Sequence, residues 1–296
     1  MNYSEKYNYV PDAGKIASAI QGIVAGADSV ASAEVFKTCF SFMDLTTLHT
    51  QDTVESVGRL VGKVVRLCEE YPSYPLPASV CVYPNFAATV KAARPSPELH
   101  VTTVASCFPS AQSFLEVKVR ECELAVANGA DEIDIVLALN SFLAGDYDSA
   151  AAEIRAMKAA IDAAASKQGR TVVLKVILET GLLVTPEKIA DASFLAMEAG
   201  ADFIKTSTGK VDVNATPTAA YVMCECIRAF YEKTGRKVGF KAAGGISNAK
   251  DALCYYCIGR SILGDSWMNK DLFRFGVSRL GNSLMSAIEQ KTVNFF

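Results

Sequence analysis

Short apolar, β-branched runs alternate along the chain with longer segments whose apolar positions recur at helical spacing, the order expected of successive βαβ units. Eight runs read as strands: FKTCFSFMDL, ASVCVYP, HVTTVASCF, DEIDIVLAL, TVVLKVILE, DFIKTST, KVGFKAAGG and SILGD. They are nearly continuous in apolar residues, as parallel strands covered on both faces should be. Between them, TVESVGRLVGKVVRLCEEY, FLEVKVRECELAVANG and AAAEIRAMKAAIDAAASK carry an amphipathic helical pattern. In the second of these, Phe114, Val117, Cys122 and Ala125 are predicted to share one stripe facing the sheet. Two junctions repeat: Asn128-Gly-Ala-Asp131 and Ala199-Gly-Ala-Asp202 each precede a strand, with glycine suited to the left-handed position that closes a helix.

Eight such units predict an α/β fold, a (β/α)₈ TIM barrel over residues 37–296, preceded over residues 1–36 by an N-terminal helical extension that contains GKIASAIQGIVAGA. An open doubly wound sheet would instead need a phosphate-binding glycine fingerprint after an early strand, and the chain has none of that form. With 296 residues, half of them hydrophobic, the chain is long enough to bury one large core.

Charge and composition remove several classes of function. A net charge of −3 offers no basic surface for nucleic acid. There is no polybasic run, and no uninterrupted apolar stretch reaches the ~18 residues of a membrane span. MNYSEKYNYVPD lacks the basic-then-apolar order of a secretory signal. A cytoplasmic protein with neither membrane nor nucleic-acid partner is therefore expected. Nine cysteines, an odd number scattered through apolar segments, fit reduced buried thiols, and the pair Cys254 and Cys257 has no second pair to complete a zinc site. With only His49 and His100 in the chain, no metal and no other cofactor is expected.

The candidate chemistry is charge placed where barrel strands should be apolar. Lys205 lies in DFIKTSTGK and Lys241 in VGFKAAGG, on neighbouring predicted strands. Lysines are rarely buried without a partner, and adjacent strands lie ~4.8 Å apart, so these two should meet near the C-terminal mouth. Two cations in partial burial depress each other's pKa, leaving one of them nucleophilic near neutral pH and able to form a Schiff base with a carbonyl. Asp134, among the β-branched residues of DEIDIV, is placed to face Lys205 as acid or base. Lys175, in VVLKVIL, is either a structural partner of Asp134 or a substrate contact, whereas Asp131 and Glu132 read as ordinary turn and strand-start residues. Gly244 and Gly245 after the seventh strand, Ser247 as a helix cap, and Arg274-Phe-Gly276-Val-Ser278 after the eighth are placed like the phosphate cradle of such barrels, with Lys210 adding positive charge.

The motifs GADFIKTSTGKVDVNATP, VGFKAAGGI, NGADEIDIV, MDLTTL, CVYP and FRFGVS, spread from about Met43 to Ser278, resemble those of the deoxyribose-phosphate aldolases, and in that family's order. The resemblance implies reversible cleavage of 2-deoxy-D-ribose 5-phosphate into acetaldehyde and D-glyceraldehyde 3-phosphate, without metal. It implies Lys205 as the Schiff-base lysine, Lys241 as the lysine that perturbs it and Asp134 as the proton shuttle. By the same resemblance Asp44, Thr46, Cys81 and Thr208 line the substrate pocket, and Gly209, Lys210, Gly244, Gly245, Gly276 and Ser278 bind phosphate. A homodimer is what the family suggests. The chain departs from the pattern at Arg279, where a second serine is common, in its Phe295-Phe296 ending, and in the loop after Phe108, which lacks a usual glycine. A class I aldolase for another sugar phosphate, and an aldolase-like barrel with low turnover that serves as a binding protein, are the alternatives.

Overall fold

The computed structural model describes residues 3–296. Eight parallel strands close into one barrel in chain order: β1 (Met43–Thr46), β2 (Ser79–Val82), β3 (His100–Val104), β4 (Glu132–Val136), β5 (Val173–Ile177), β6 (Phe203–Lys205), β7 (Gly239–Ala243) and β8 (Phe273–Val277). Three helices precede the barrel: α1 (Tyr3–Tyr7), α2 (Ala13–Ala27) and α3 (Ala33–Ser41). The others lie between or after the strands: α4 (Val54–Glu70), α5 (Ala87–Ala93), α6 (Leu115–Ala127), α7 (Leu139–Leu143), α8 (Tyr147–Ser166), α9 (Thr180–Leu183), α10 (Pro186–Glu198), α11 (Pro217–Thr234), α12 (Ala249–Leu263) and α13 (Leu280–Glu289).

Local chemistry sets the ends of these elements. Thr53 and Ser56 form a capping box at α4, which then buries Val57, Val61, Val64 and Leu67 along one face. α10 and α11 each begin with a threonine cap followed by proline, where the missing N–H costs nothing. The repeated Gly-Ala-Asp junctions do the same work twice. Gly129 and Gly200 turn at φ +102° and +106°, and the aspartate that follows anchors the preceding strand. Asp131 accepts from the Val101 N–H at 2.9 Å and Asp202 from the Leu174 N–H at 2.9 Å.

Three expectations are corrected. SILGD is not the eighth strand; Ile262 and Leu263 are the buried end of α12, which stops at Gly264, and the strand is FRFGV. The charge of Arg274 in the middle of that run hides its strand character. The first half of FKTCFSFMDL is helix α3, capped by Ser32, so β1 begins only at Met43 and α3 runs through residue 36. On α6 the buried stripe is Lys118, Cys122, Ala125 and Val126, while Phe114 and Val117 face solvent. Lys118 is buried because its ammonium meets Glu153 at 2.6 Å, a pairing that periodicity does not reveal. The nine cysteines are all free, and five are buried, although Cys68 is exposed.

Two layers of packing result. Outward-facing strand residues such as Leu45, Val80, Ile133, Leu174, Ile204 and Phe240 join the helices in one apolar core. The inward-facing positions are mostly polar or charged, and Phe203 closes part of the barrel floor. Its ring occupies the space where a Cβ on Gly239 would fall, 2.3 Å away, so glycine is required there.

The N-terminal helices wrap the outside of the barrel, α1 against α10 and α11, α2 against α11 and α12, and α3 against α12 and α13. Tyr7 stacks on Phe194 with ring centroids 4.3 Å apart and donates its hydroxyl to Glu198 at 2.8 Å. Tyr7→Ala is expected to lower unfolding free energy by about 3 kcal/mol. Urea denaturation should show a lower midpoint with an unchanged slope. Turnover of the folded protein should be unaffected, because Tyr7 lies at the end of the barrel opposite the lysines.

Candidate active site

Strand register brings the predicted residues together. Lys205 of β6 lies directly opposite Lys241 of β7, and Asp134 of β4 opposite Lys175 of β5. Both lysines on β6 and β7 point inward and reach the same atom. The Nζ of Lys205 and the Nζ of Lys241 each lie 2.8 Å from Oδ2 of Asp134. The second oxygen of Asp134 accepts from Lys175 at 3.0 Å. Lys241 has a further carboxylate that Lys205 lacks, Asp44 of β1, 2.5 Å from its Nζ.

The two lysines therefore differ. Burial disfavours the ammonium form of both. For Lys205 that effect dominates, Asp134 opposes it, and Lys241 adds to the depression, so its pKa falls below the ordinary lysine value. For Lys241 the pull of Asp134 and Asp44 outweighs burial, and its pKa rises well above that value. Burial would raise the Asp134 carboxyl, but Lys175, Lys205 and Lys241 together hold it far below the usual range. Asp44 is likewise lowered, with Lys241, Arg274 and Lys175 overcoming burial. The ammonium form is thus disfavoured at one lysine and favoured at its neighbour.

Above this pair the barrel mouth opens into a cleft of 230 Å³ lined by Lys205, Thr46, Thr208, Gly209, Lys210, Gly244, Gly245, Gly276 and Ser278, together with Leu48 and His49. It adjoins a second cavity of 370 Å³ between the Gly244-Gly245 turn and the Gly276–Arg279 segment. Gly244 and Gly245 take φ of +84° and +81°, a conformation that leaves the loop backbone open to a ligand. A Cβ at Gly276 would lie 2.8 Å from that of Ala243 and 3.1 Å from the Lys241 side chain. Asn248, not Ser247, caps α12. Lys210 donates from Nζ to the Leu48 carbonyl at 2.7 Å.

Three expected pocket residues, Asp44, Lys175 and Cys81, do not line this cleft. Asp44 and Lys175 are fully buried beneath the lysine pair and serve it as ion partners rather than as cleft walls. Asp134 and Lys241 are equally buried, so Lys205, 4 % exposed, is the charged strand residue at the cleft floor. Cys81 packs with Leu48 and Val104 beside the lysines, and burial raises its thiol pKa.

Sequence reasoning missed three residues. Glu132 is no strand-start residue: it is fully buried and receives Arg274 at 2.6 Å and Lys175 at 2.5 Å. Its spacing of two from Asp134 puts both carboxylates on the inner face, a signal that was available. Arg274, expected after the eighth strand beside the phosphate cradle, is instead buried and inward within β8, paired with Asp44 and Glu132. Glu179, held at φ +54°, accepts the Thr208 hydroxyl at 2.6 Å and the Thr208 N–H at 3.1 Å.

Comparison with known proteins gives a consistent picture. Residues 38–255 match the family described as DeoC/LacD family aldolase. A deoxyribose-phosphate aldolase of Homo sapiens is 40% identical over 261 residues, covering 85% of this chain and 78% of the human protein. That of Bos taurus is 41% identical over 248 residues, covering 80% and 76%. Among solved structures, a tetrameric deoxyribose phosphate aldolase from Aeropyrum pernix shares the fold at a TM-score of 0.66 and 24% identity, covering 93% of this chain and 98% of its own. An aldolase named QR15 aligns at a TM-score of 0.63 and 27% identity, covering 85% and 95%.

Lys241→Leu removes the cation that depresses Lys205. The Lys205 amine should then titrate at higher pH, so imine formation should fall about tenfold or more near neutrality and recover as pH rises. Borohydride trapping rates between about pH 6 and about pH 10 check this. A deficit of constant size across that range would mean that Lys241 acts by something other than its charge.

Proposed function

The chain belongs to the DeoC/LacD family of aldolases, and from that premise we propose that it cleaves 2-deoxy-D-ribose 5-phosphate reversibly through a Schiff base on Lys205, giving acetaldehyde and D-glyceraldehyde 3-phosphate. The observation that carries this reading is the unequal sharing of one carboxylate oxygen. Lys205 and Lys241 both bond Asp134 Oδ2, but only Lys241 owns a second carboxylate, and only Lys205 borders the cleft.

A neutral Lys205 donates one N–H to Asp134 and keeps its lone pair for C1 of the open-chain sugar. Addition followed by loss of water leaves an iminium whose positive charge lies beside the Asp134 carboxylate. As the C2–C3 bond breaks, its electron pair moves into the iminium to give an enamine. The C3 hydroxyl surrenders its proton to Asp134, directly or through water, and becomes the aldehyde of glyceraldehyde 3-phosphate. Asp134 is held strongly acidic by its lysine neighbours. The proton it has accepted is therefore readily returned to C2 of the enamine, and hydrolysis then frees acetaldehyde and Lys205. Lys241, charged throughout, disfavours reprotonation of the amine.

The phosphate fits the other end of the cleft. There the Gly244-Gly245 turn, Gly276 and Ser278 line the cleft, and Lys210 and Gly209 close the side. The motif IKTSTGK, with Thr208 and Lys210 lining the same cleft, favours this substrate over a different sugar phosphate. The intact set Lys205, Lys241 and Asp134 favours turnover over a purely binding role.

Two measurements test the proposal. Acetaldehyde with borohydride should leave a single adduct, located by peptide mass at Lys205 and abolished in Lys205→Leu, whereas labelling at Lys241 would reverse the roles. 2-Deoxyribose lacking the phosphate should react with a kcat/KM lower by about a hundredfold, the loss expected from one or two charge-assisted contacts. Equal kcat/KM for the two sugars would place the phosphate outside the glycine loops.

A further inference from the structure

The buried charges beneath the cleft form one closed set. Its carboxylates are Asp44, Glu132 and Asp134, and the cations paired with them are Lys175, Lys241 and Arg274, none of them more than 1% exposed. Arg274 joins two carboxylates, donating to Asp44 Oδ1 at 2.6 Å and to Glu132 Oε1 at 2.6 Å. Lys175 bridges Glu132 Oε2 at 2.5 Å and Asp134 Oδ1 at 3.0 Å. Lys241 bridges Asp44 and Asp134, which closes the ring. The Thr102 hydroxyl donates to Glu132 Oε2 at 2.8 Å, and His100 Nδ1 meets Glu132 Oε1 at 2.7 Å from the far end of the barrel.

Three negative charges are thus balanced by three positive ones before Lys205 is counted. A protonated Lys205 would be a fourth cation in a space that water does not screen. We propose that Arg274 and Glu132, neither of which borders the cleft, are positioning residues for Lys205: they hold the buried set at zero net charge only when Lys205 is a free amine. The proposal rests on Lys205 being the Schiff-base lysine.

The other groups around Lys205 lie outside this ring. Asp134 from β4 and Lys241 from β7 are already counted, and the Cys81 thiol of β2 is raised by burial and stays neutral. Glu179, after β5, is engaged by Thr208, while Lys210 and His49 stand at the open mouth.

Removing either charge has a sign. Without Arg274 the set is left at −1, and Lys205 restores neutrality by holding its proton. Without Glu132 the set is left at +1, and the proton on Lys205 is expelled more readily. A residue that only supports packing would weaken the reaction in both variants without moving its pH dependence.

The readout is the pH profile of borohydride trapping of acetaldehyde on the full-length protein, with the adduct assigned by peptide mass. Arg274→Met should move the acid limb up by about one pH unit, the size expected for a unit charge over about 10 Å at an effective dielectric near 20. Glu132→Gln should move it down by a similar amount, and the Arg274→Met/Glu132→Gln double variant should return it close to that of the parent. Arg274→Lys, which keeps the charge, should leave the limb in place. It supplies the comparison with Glu132→Gln should Arg274→Met fail to fold. Limbs that stay put in Glu132→Gln and Arg274→Met, or that move in the same direction, overturn the proposal. Absence of an adduct on Lys205 in the unaltered protein would instead sink the Schiff-base assignment on which it stands.

Discussion

The arrangement turns on one oxygen atom. Oδ2 of Asp134 is 2.8 Å from two lysine nitrogens, and a single anionic oxygen inside a barrel cannot fully neutralise two ammonium groups. The surrounding partners decide which of the two nitrogens is less favoured as an ammonium. Asp44 reinforces Lys241, so the charged form is disfavoured at Lys205, the nitrogen that borders the cleft.

This constraint explains why the barrel interior looks unlike an ordinary core. Apolar side chains are relegated to the layer between strands and helices, and the axis of the barrel is given over to acids and bases. Buried ion pairs of this kind add little net stability compared with apolar packing, because the desolvation of each charge offsets most of the attraction. The outer layer, with α1 to α3 packed around it, therefore carries most of the stability. The inner layer is free to be specified by chemistry.

Much of this was legible in the sequence. Lys205, Lys241 and Asp134 announced themselves as charges within β-branched strands, and the paired Gly-Ala-Asp junctions marked real and equivalent turns. What stayed hidden follows from the same physics. Arg274 made a true strand look like a loop, because a lone arginine in FRFGV reads as exposed until its partners Asp44 and Glu132, far away in the chain, are known. Glu132 looked like an ordinary strand-start residue for the reciprocal reason. On α6, Lys118 occupies the buried stripe by pairing with Glu153, which displaced the predicted stripe onto the exposed Phe114 and Val117. Local pattern reports burial of apolar residues well and burial of compensated charge poorly.

The contact between Thr208 and Glu179 carries a consequence for which molecules the mouth tolerates. A hydroxyl has one hydrogen to give, and Thr208 gives it to Glu179 at 2.6 Å while accepting from the Lys210 N–H at 3.0 Å. Toward the cleft this oxygen has only a remaining lone pair to offer. That wall is therefore directional: it welcomes an alcohol that points its hydrogen outward, and it is indifferent or hostile to a ketone or ether oxygen in the same place.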